Sequence, residues 1–153
     1  VPEKYFGKYT GIVKDNRDEQ NLGQLQVSVP AIFPEDALVT ARPALPYGVF
    51  FVPEPGEKVW VEFEGGDCAL AVWSGVQSVP GAWATEAAET PPKLRVIKTA
   101  KGHLIILNDK AGEERIEIYS DSRVLIHSLG MVEINAPSVV INGRPVAPLA
   151  NPI

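Results

Sequence analysis

The sequence holds one cysteine, Cys68, which excludes an internal disulfide framework and any cysteine-cluster zinc site. As a free cysteine it is expected to be a small apolar side chain, buried or half-buried. Histidine is nearly as scarce. His103 and His127 stand far apart, and neither has a cysteine or carboxylate at ligand spacing, so no metal and no cofactor are expected. No run approaches the ~18 apolar residues of a membrane span. The opening Val1-Pro-Glu-Lys-Tyr5 lacks the basic-then-apolar order of a secretory signal, so synthesis in a cytoplasm as a soluble chain is expected. Positive charge is also short, with 14 Lys and Arg against 19 Asp and Glu for a net charge of −5. A binder of phosphate backbones carries a basic stripe, so nucleic acid is not an expected partner.

Catalytic constellations are missing as well. No serine sits in a nucleophile elbow, and no glycine-rich phosphate loop is present. Glu62 and Glu64 share a strand face with Trp60 and are read as a solvated outer face, while Glu113 and Glu114 fall in a predicted hairpin loop. A glycosidase needs two carboxylates facing each other across a cleft. The chain is expected not to be an enzyme.

What the chain has instead is strand pattern. Tyr5 to Lys14 alternates roughly, and Asp15 to Asn21 is a polar loop. Leu25, Val27 and Val29 then alternate with Gln24, Gln26 and Ser28, the mark of a half-buried strand. Residues 31 to 46 read as a longer connection, and Tyr47 to Val52 is an apolar run before the turn Pro53-Glu-Pro-Gly56. Val59, Val61 and Phe63 alternate with polar neighbours, Gly65-Gly66-Asp67 reads as a tight hairpin turn, and Cys68 to Gly75 returns as the partner strand. About five short strands, mostly antiparallel, predict a small barrel that closes its own edges. Residues 79–93, rich in proline and alanine, read as a semi-stiff linker in which Trp83 is either an anchor or a loop aromatic. Leu94 and Val96 resume the β pattern, with Leu104 to Leu107 beyond the Lys101-Gly102 turn and a polar hairpin loop over residues 108–114.

From Ile116 to Gly143 the chain falls into rows of eight. Ile116, Val124, Val132 and Val140 open the rows, and Ile118, Ile126 and Ile134 follow two places later. Small and turn-forming residues fill the gaps, which is a short strand plus a turn repeated with one apolar face. The inward face comprises Ile116, Ile118, Val124, Ile126, Val132, Ile134, Val139 and Ile141. The step from Val132 to Val139 is seven rather than eight, so the octad slips near Pro137 and Val140 is the alternative inward residue. His127 lies on the opposite face from Val124 and Ile126, the wrong side for an axial metal. Such a unit cannot bury its apolar face alone, and its neighbours are expected to be other copies of the chain. Arg144 to Ile153, with three prolines that forbid further regular ladder, reads as a terminator.

Two blocks carry a resemblance. Gly11-Ile-Val13, Leu22-Gly23-Gln-Leu-Gln-Val27 and Pro53-Glu-Pro-Gly56-Glu-Lys-Val-Trp-Val-Glu-Phe63-Glu-Gly-Gly66-Asp67 resemble the oligonucleotide/oligosaccharide-binding (OB) domain of contractile-injection spike proteins. Lys101 to Asp109 and Gly112 to Ile118 look like the start of the trimeric β-helix or β-prism of the same family. The resemblance implies an all-β chain: an OB barrel over 1–78, the linker 79–93, a trimeric shaft over 94–143 with the inward residues as trimer core, and a tip or terminator over 144–153. It implies a homotrimeric central spike of a phage tail baseplate or related machine. The spike would be attached to a separate hub protein and driven into the target cell envelope, and a tip protein is possible at residues 144–153. The implied location is the virion baseplate after assembly in the host cytoplasm, or a bacterial injection apparatus. The lysozyme domain of some phage members has no counterpart here, and neither has the His-x-His pair that holds a tip iron, since His127 is followed by Ser128 and Leu129. A different class, an OB module binding nucleic acid or carbohydrate, would rely on aromatics such as Trp60 and Trp73.

Overall fold

The computed structural model describes residues 3–81 and 84–146. Among the described residues regular structure is all strand apart from two short 3-10 turns, and the chain divides into two units, Val1–Trp83 and Ala84–Ile153.

The first unit is a closed five-stranded barrel of Tyr9–Asp15 (β1), Leu25–Ser28 (β2), Leu38–Pro43 (β3), Lys58–Phe63 (β4) and Ala71–Val76 (β5). The order around it is β1-β2-β3-β5-β4, with β4 returning to β1. All pairings are antiparallel except β3 with β5, where Arg42 lies beside Val72 and Pro43 beside Trp73. The Ala44 N–H donates to the Trp73 carbonyl at 2.9 Å and prolongs that seam past Pro43, which has no N–H to give. Register irregularities at Val13/Asp15 and Val59/Trp60 bend the strands, as closing a barrel this small requires.

Strand alternation sets the interior. Val13, Leu25, Val27, Val29, Ala41, Val59, Val61, Phe63, Ala71 and Trp73 form the buried core. Gly11 belongs to the same inward set: a Cβ there would meet Val61 Cγ2 at 2.5 Å, so only glycine lets β1 approach β4 this closely. Tyr5, Tyr9, Phe33 and Phe63 pack ring against ring in four pairs at 5.5–6.1 Å between centroids. Edge-to-face contacts of this kind add to the area that the rings bury.

Two expectations are corrected in this unit, and one open reading is settled. The connection over residues 31–46 contains a strand, β3, whose register is fixed by Leu25 against Ala41 and Val27 against Val39. The apolar run Tyr47 to Val52 forms no strand, and Tyr47, Val49, Phe50 and Phe51 are exposed. Cys68 is exposed, because the β4–β5 connection is longer than a tight turn: Glu64–Gly66 forms a 3-10 turn and the chain then loops through Asp67 to Leu70. The Asp67 carboxylate accepts the Ala69 N–H at 3.0 Å, and the Asp67 carbonyl accepts the Leu70 N–H at 2.9 Å. That leaves Cys68 at the loop tip.

The second unit contains a three-stranded antiparallel meander of Leu94–Lys98 (β6), Leu104–Asn108 (β7) and Arg115–Tyr119 (β8). The Thr85–Ala87 3-10 turn packs along β6, and both Glu86 carboxylate oxygens accept from Lys98 Nζ at 3.1 Å. Val140–Ile141 (β9) and Arg144–Pro145 (β10) form a separate hairpin. Its two-residue loop, Asn142-Gly143, has positive φ at both positions (51° and 74°), the conformation a type I′ turn demands. The terminator expected at Arg144 therefore begins as a ladder strand, with Pro145 opposite Val140; residues 147–153 lie outside the described residues.

Two substitutions test this account of the barrel. Gly11→Ala is expected to destabilise it by about 1–3 kcal/mol, the usual cost of overpacking a filled core. Ser28→Ala is expected to be neutral or stabilising, since the buried Ser28 hydroxyl has no hydrogen-bond partner among the described residues. Urea unfolding followed by Trp73 fluorescence reads both.

Candidate assembly surface

The register of the meander sorts its side chains onto two faces. On one, Val96, Ile106 and Glu117 lie in a row beside Leu94, Asn108 and Arg115. Ile106 and Asn108 are buried there, and Leu94, Val96 and Glu117 are half-buried. On the other face Arg95, Leu107 and Ile116 form one row, and Ile97, Ile105 and Ile118 form the next. All five apolar residues of that face are exposed, Ile116 at 74% and Ile118 at 63%. A soluble domain seldom leaves so continuous an apolar face open to water.

Past Tyr119 the apolar residues continue without a ladder. Among the described residues, no backbone–backbone hydrogen bond involves residues 120–138. The only local closures are short side-chain turns, in which Ser120 Oγ accepts the Ser122 N–H at 3.3 Å and Ser128 Oγ accepts the Gly130 N–H at 3.1 Å. They recur eight residues apart, at the gaps between the apolar pairs. Val124, Ile126, Val132, Ile134 and Ile141 are exposed, as is Val140, the alternative inward residue, and Val139 is half-buried. Among the described residues, those read as an inward face are thus left uncovered, Val139 partly excepted. Sequence reasoning missed Ile97, Ile105 and Leu107, which the register sets beside Ile116 and Ile118. The signal was present in Leu104-Ile-Ile-Leu107, a run apolar on both faces. Leu125, Leu129 and Met131 are also exposed, with the opposite strand parity to the inward set.

In the barrel, the residues singled out from the resemblance serve the fold. Val13, Val27 and Phe63 are core, and Pro53 is buried next to the loop that reaches Gly56. The Gly56 N–H donates to the Val13 carbonyl at 2.8 Å and ties that turn to β1. The Gly66 carbonyl accepts the Tyr5 N–H at 3.0 Å, and Asp67 shapes the β4–β5 loop. The Gly23 carbonyl accepts the buried Trp73 indole N–H at 2.9 Å. Trp73 is therefore a core residue and not a stacking platform, while Trp60 lies on the outer face of β4 and is exposed.

The loop before Gly23 is organised by Asp18. Its carboxylate accepts the N–H groups of Gln20 (3.1 Å), Leu22 (2.8 Å) and Gln24 (3.1 Å). These donors, the Gln24 N–H foremost, hold the Asp18 carboxyl below the usual carboxylate range. Asp15, gripped by the Arg17 guanidinium, is lowered to about 2.

A closed five-stranded barrel with a parallel β3–β5 seam invites comparison with known families. Residues 9–77 match the family model of the Type VI secretion system/phage-baseplate injector OB domain. The match starts with β1 and ends one residue after β5, so it covers the whole barrel. It supports a baseplate-related structural role, in a phage tail or a secretion system. No curated protein matches the chain. Among the described residues, no group of three or more His, Cys, Asp or Glu side chains is placed to hold a metal ion, and no helix is long and apolar enough to cross a membrane.

The carboxylates of the Asp18 loop make a testable pH window. Both folded-state pKa values are depressed, so their stabilisation is complete above the unfolded value near 4 and is lost as pH falls through the folded values. The amide resonances of Gln20, Leu22 and Gln24 are expected to stay fixed from neutral pH to about 4 and to move together as pH falls further, through the depressed Asp18 value. In Asp18→Ala they are expected to be displaced at every pH.

Proposed function

We propose that the protein is a non-enzymatic, homotrimeric central spike of a contractile injection machine. In this reading the OB barrels attach to a baseplate hub, and the second unit winds with two other copies into a needle that is driven through the target envelope on contraction. The observation that carries the reading is the second unit's uncovered apolar face, continued by chain whose backbone has no ladder partner among the described residues. Unpaired backbone and apolar rows of this kind call for strands from elsewhere. Three copies would supply them and bury Ile116, Ile118, Val124, Ile126, Val132, Ile134, Val139 and Ile141 as a common core. Each such side chain contributes roughly 1.5–3 kcal/mol on burial, so the sum over three chains favours the assembly strongly over the lone unit. Arg144 to Ile153 would then cap the tip or seat a tip protein.

The match of residues 9–77 to the injector OB domain supports the place of the barrel in such a machine. The nucleic-acid or carbohydrate-binding alternative is weakened by the burial of Trp73, which removes one of the two tryptophans it would rely on.

Light scattering is expected to give three times the mass of the chain. Ile126→Asp is expected to reduce this to the single-chain mass while leaving the near-ultraviolet signal of the buried Trp73 intact. A wild-type monomer, or an unaltered Ile126→Asp trimer, would sink the needle or its core assignment respectively. Hydrogen exchange gives an independent check. The amides of residues 120–138 are expected to be protected in the wild-type assembly and to exchange freely in Ile126→Asp.

A further inference from the structure

The barrel carries a surface feature that the needle reading leaves unused. Surface loops are ordinarily polar, yet residues 47–51 present Tyr47, Val49, Phe50 and Phe51 to solvent, Tyr47 fully so. The core is complete without them. Nor is the loop slack: the Val49 N–H donates to the Pro46 carbonyl at 3.1 Å, and Pro53 beyond it is buried. Phe50 lies over Gly23, where a Cβ would meet its ring at 3.2 Å. Between this aromatic loop and the polar loop of residues 16–21 is an open cleft of about 440 Å³, lined on one side by Gly23, Phe50 and Val52.

The rim of the cleft is acidic. Asp18 and Glu19 line it, and Glu54 is joined to it through Asn16 Nδ2 at 3.3 Å. Arg17 is the cation of the lining, and it is held by Asp15 in a bidentate pair with Nη2 at 2.5 Å and Nε at 2.9–3.0 Å. Four carboxylates against one guanidinium leave the rim anionic. The Asp18 charge is fixed by three backbone N–H groups, so it persists well below neutral pH.

We propose that the Tyr47–Phe51 loop and the acidic rim of residues 15–21 are a docking surface for a different protein, one presenting an apolar side chain flanked by lysine or arginine. Exposed aromatics held on a stiff loop match the anchors that dominate protein interfaces. The anionic rim selects the flanking charge, because like charge brought to the same rim is repelled. A neutral or acidic apolar partner would fill the cleft but leave the rim unpaired. This inference concerns the barrel alone and does not depend on how the second unit assembles.

The test titrates synthetic peptides into the full chain and follows its amide resonances. The probe is a capped Lys-Leu-Phe-Lys peptide, compared with Glu-Leu-Phe-Glu and Lys-Ser-Ser-Lys. The basic apolar peptide is expected to shift Gly23, Phe50, Phe51 and the amides of residues 16–21. Its affinity is expected to fall severalfold between about 50 and 300 mM salt. Combined Phe50→Ser and Phe51→Ser is expected to weaken it about tenfold, and Glu19→Gln is expected to flatten the salt dependence, with the Trp73 signal reporting that both variants fold. Equal binding of the acidic peptide, shifts confined to other surfaces, or unchanged binding by the double-serine variant would each overturn the proposal. So would a drop in oligomer mass for the double-serine variant, since the loop would then face a second copy of this chain. Loss of trimerisation in Ile126→Asp with peptide binding retained would leave the docking surface standing apart from the needle.

Discussion

An extended backbone exposes a donor and an acceptor at every residue, and both halves of this chain are arranged around where those groups find partners. In the barrel the answer is internal. The β3–β5 seam joins the two ends of an otherwise antiparallel path, and the Ala44 N–H extends it past a proline that cannot contribute. Once that seam is made, no strand of the five is left with a fully open side, and the alternating side chains have a common interior to fill. The second unit has no such seam. Its meander ends at β8, and the apolar chain beyond it runs on without a ladder partner among the described residues.

The same constraint explains two residues whose replacement is costly. Gly11 is set by the distance between β1 and β4, and Trp73 by the need of its indole N–H for the Gly23 carbonyl once the ring is inside. Buried aromatic nitrogen without an acceptor is costly. That one bond couples the barrel core to the loop carrying Gly23, and through Asp18 to the acidic rim. The interior and the surface cleft are thus built on a shared stretch of backbone.

Much of this was legible in the residues. β1, β2, β4 and β5 fall within or close to the stretches read as strands, Tyr5–Lys14, Leu25–Val29, Val59–Phe63 and Cys68–Gly75, because each of these strands has one wet and one dry face. β3 was hidden because Leu-Val-Thr-Ala-Arg-Pro contributes only Ala41 to the buried core and stands among prolines, while the more apolar Tyr47–Val52 drew attention away. An apolar run marks a strand only if the fold has somewhere dry to put it. The octad rows were visible as a repeat, but their companions Ile97, Ile105 and Leu107 became clear only from strand register, which sequence spacing does not supply. Cys68 was misplaced for a local reason: the loop spends its neighbours on turn hydrogen bonds and leaves the thiol at the tip.

The spacing of partners along the chain has a consequence for how the protein comes to be folded. The meander joins neighbours only, Leu94 to Asn108 and Asn108 to Arg115, whereas the barrel must bring Tyr9 to Val61 before it closes. Short-range pairings form faster than long-range ones, since the chain gives up less freedom to make them. The barrel leaves the ribosome first but has the longer loops to close, whereas the meander needs only neighbouring strands once it has emerged. The meander leaves its apolar face open, so crowded synthesis, before any assembly, is the moment at which that face is most exposed to the wrong neighbours.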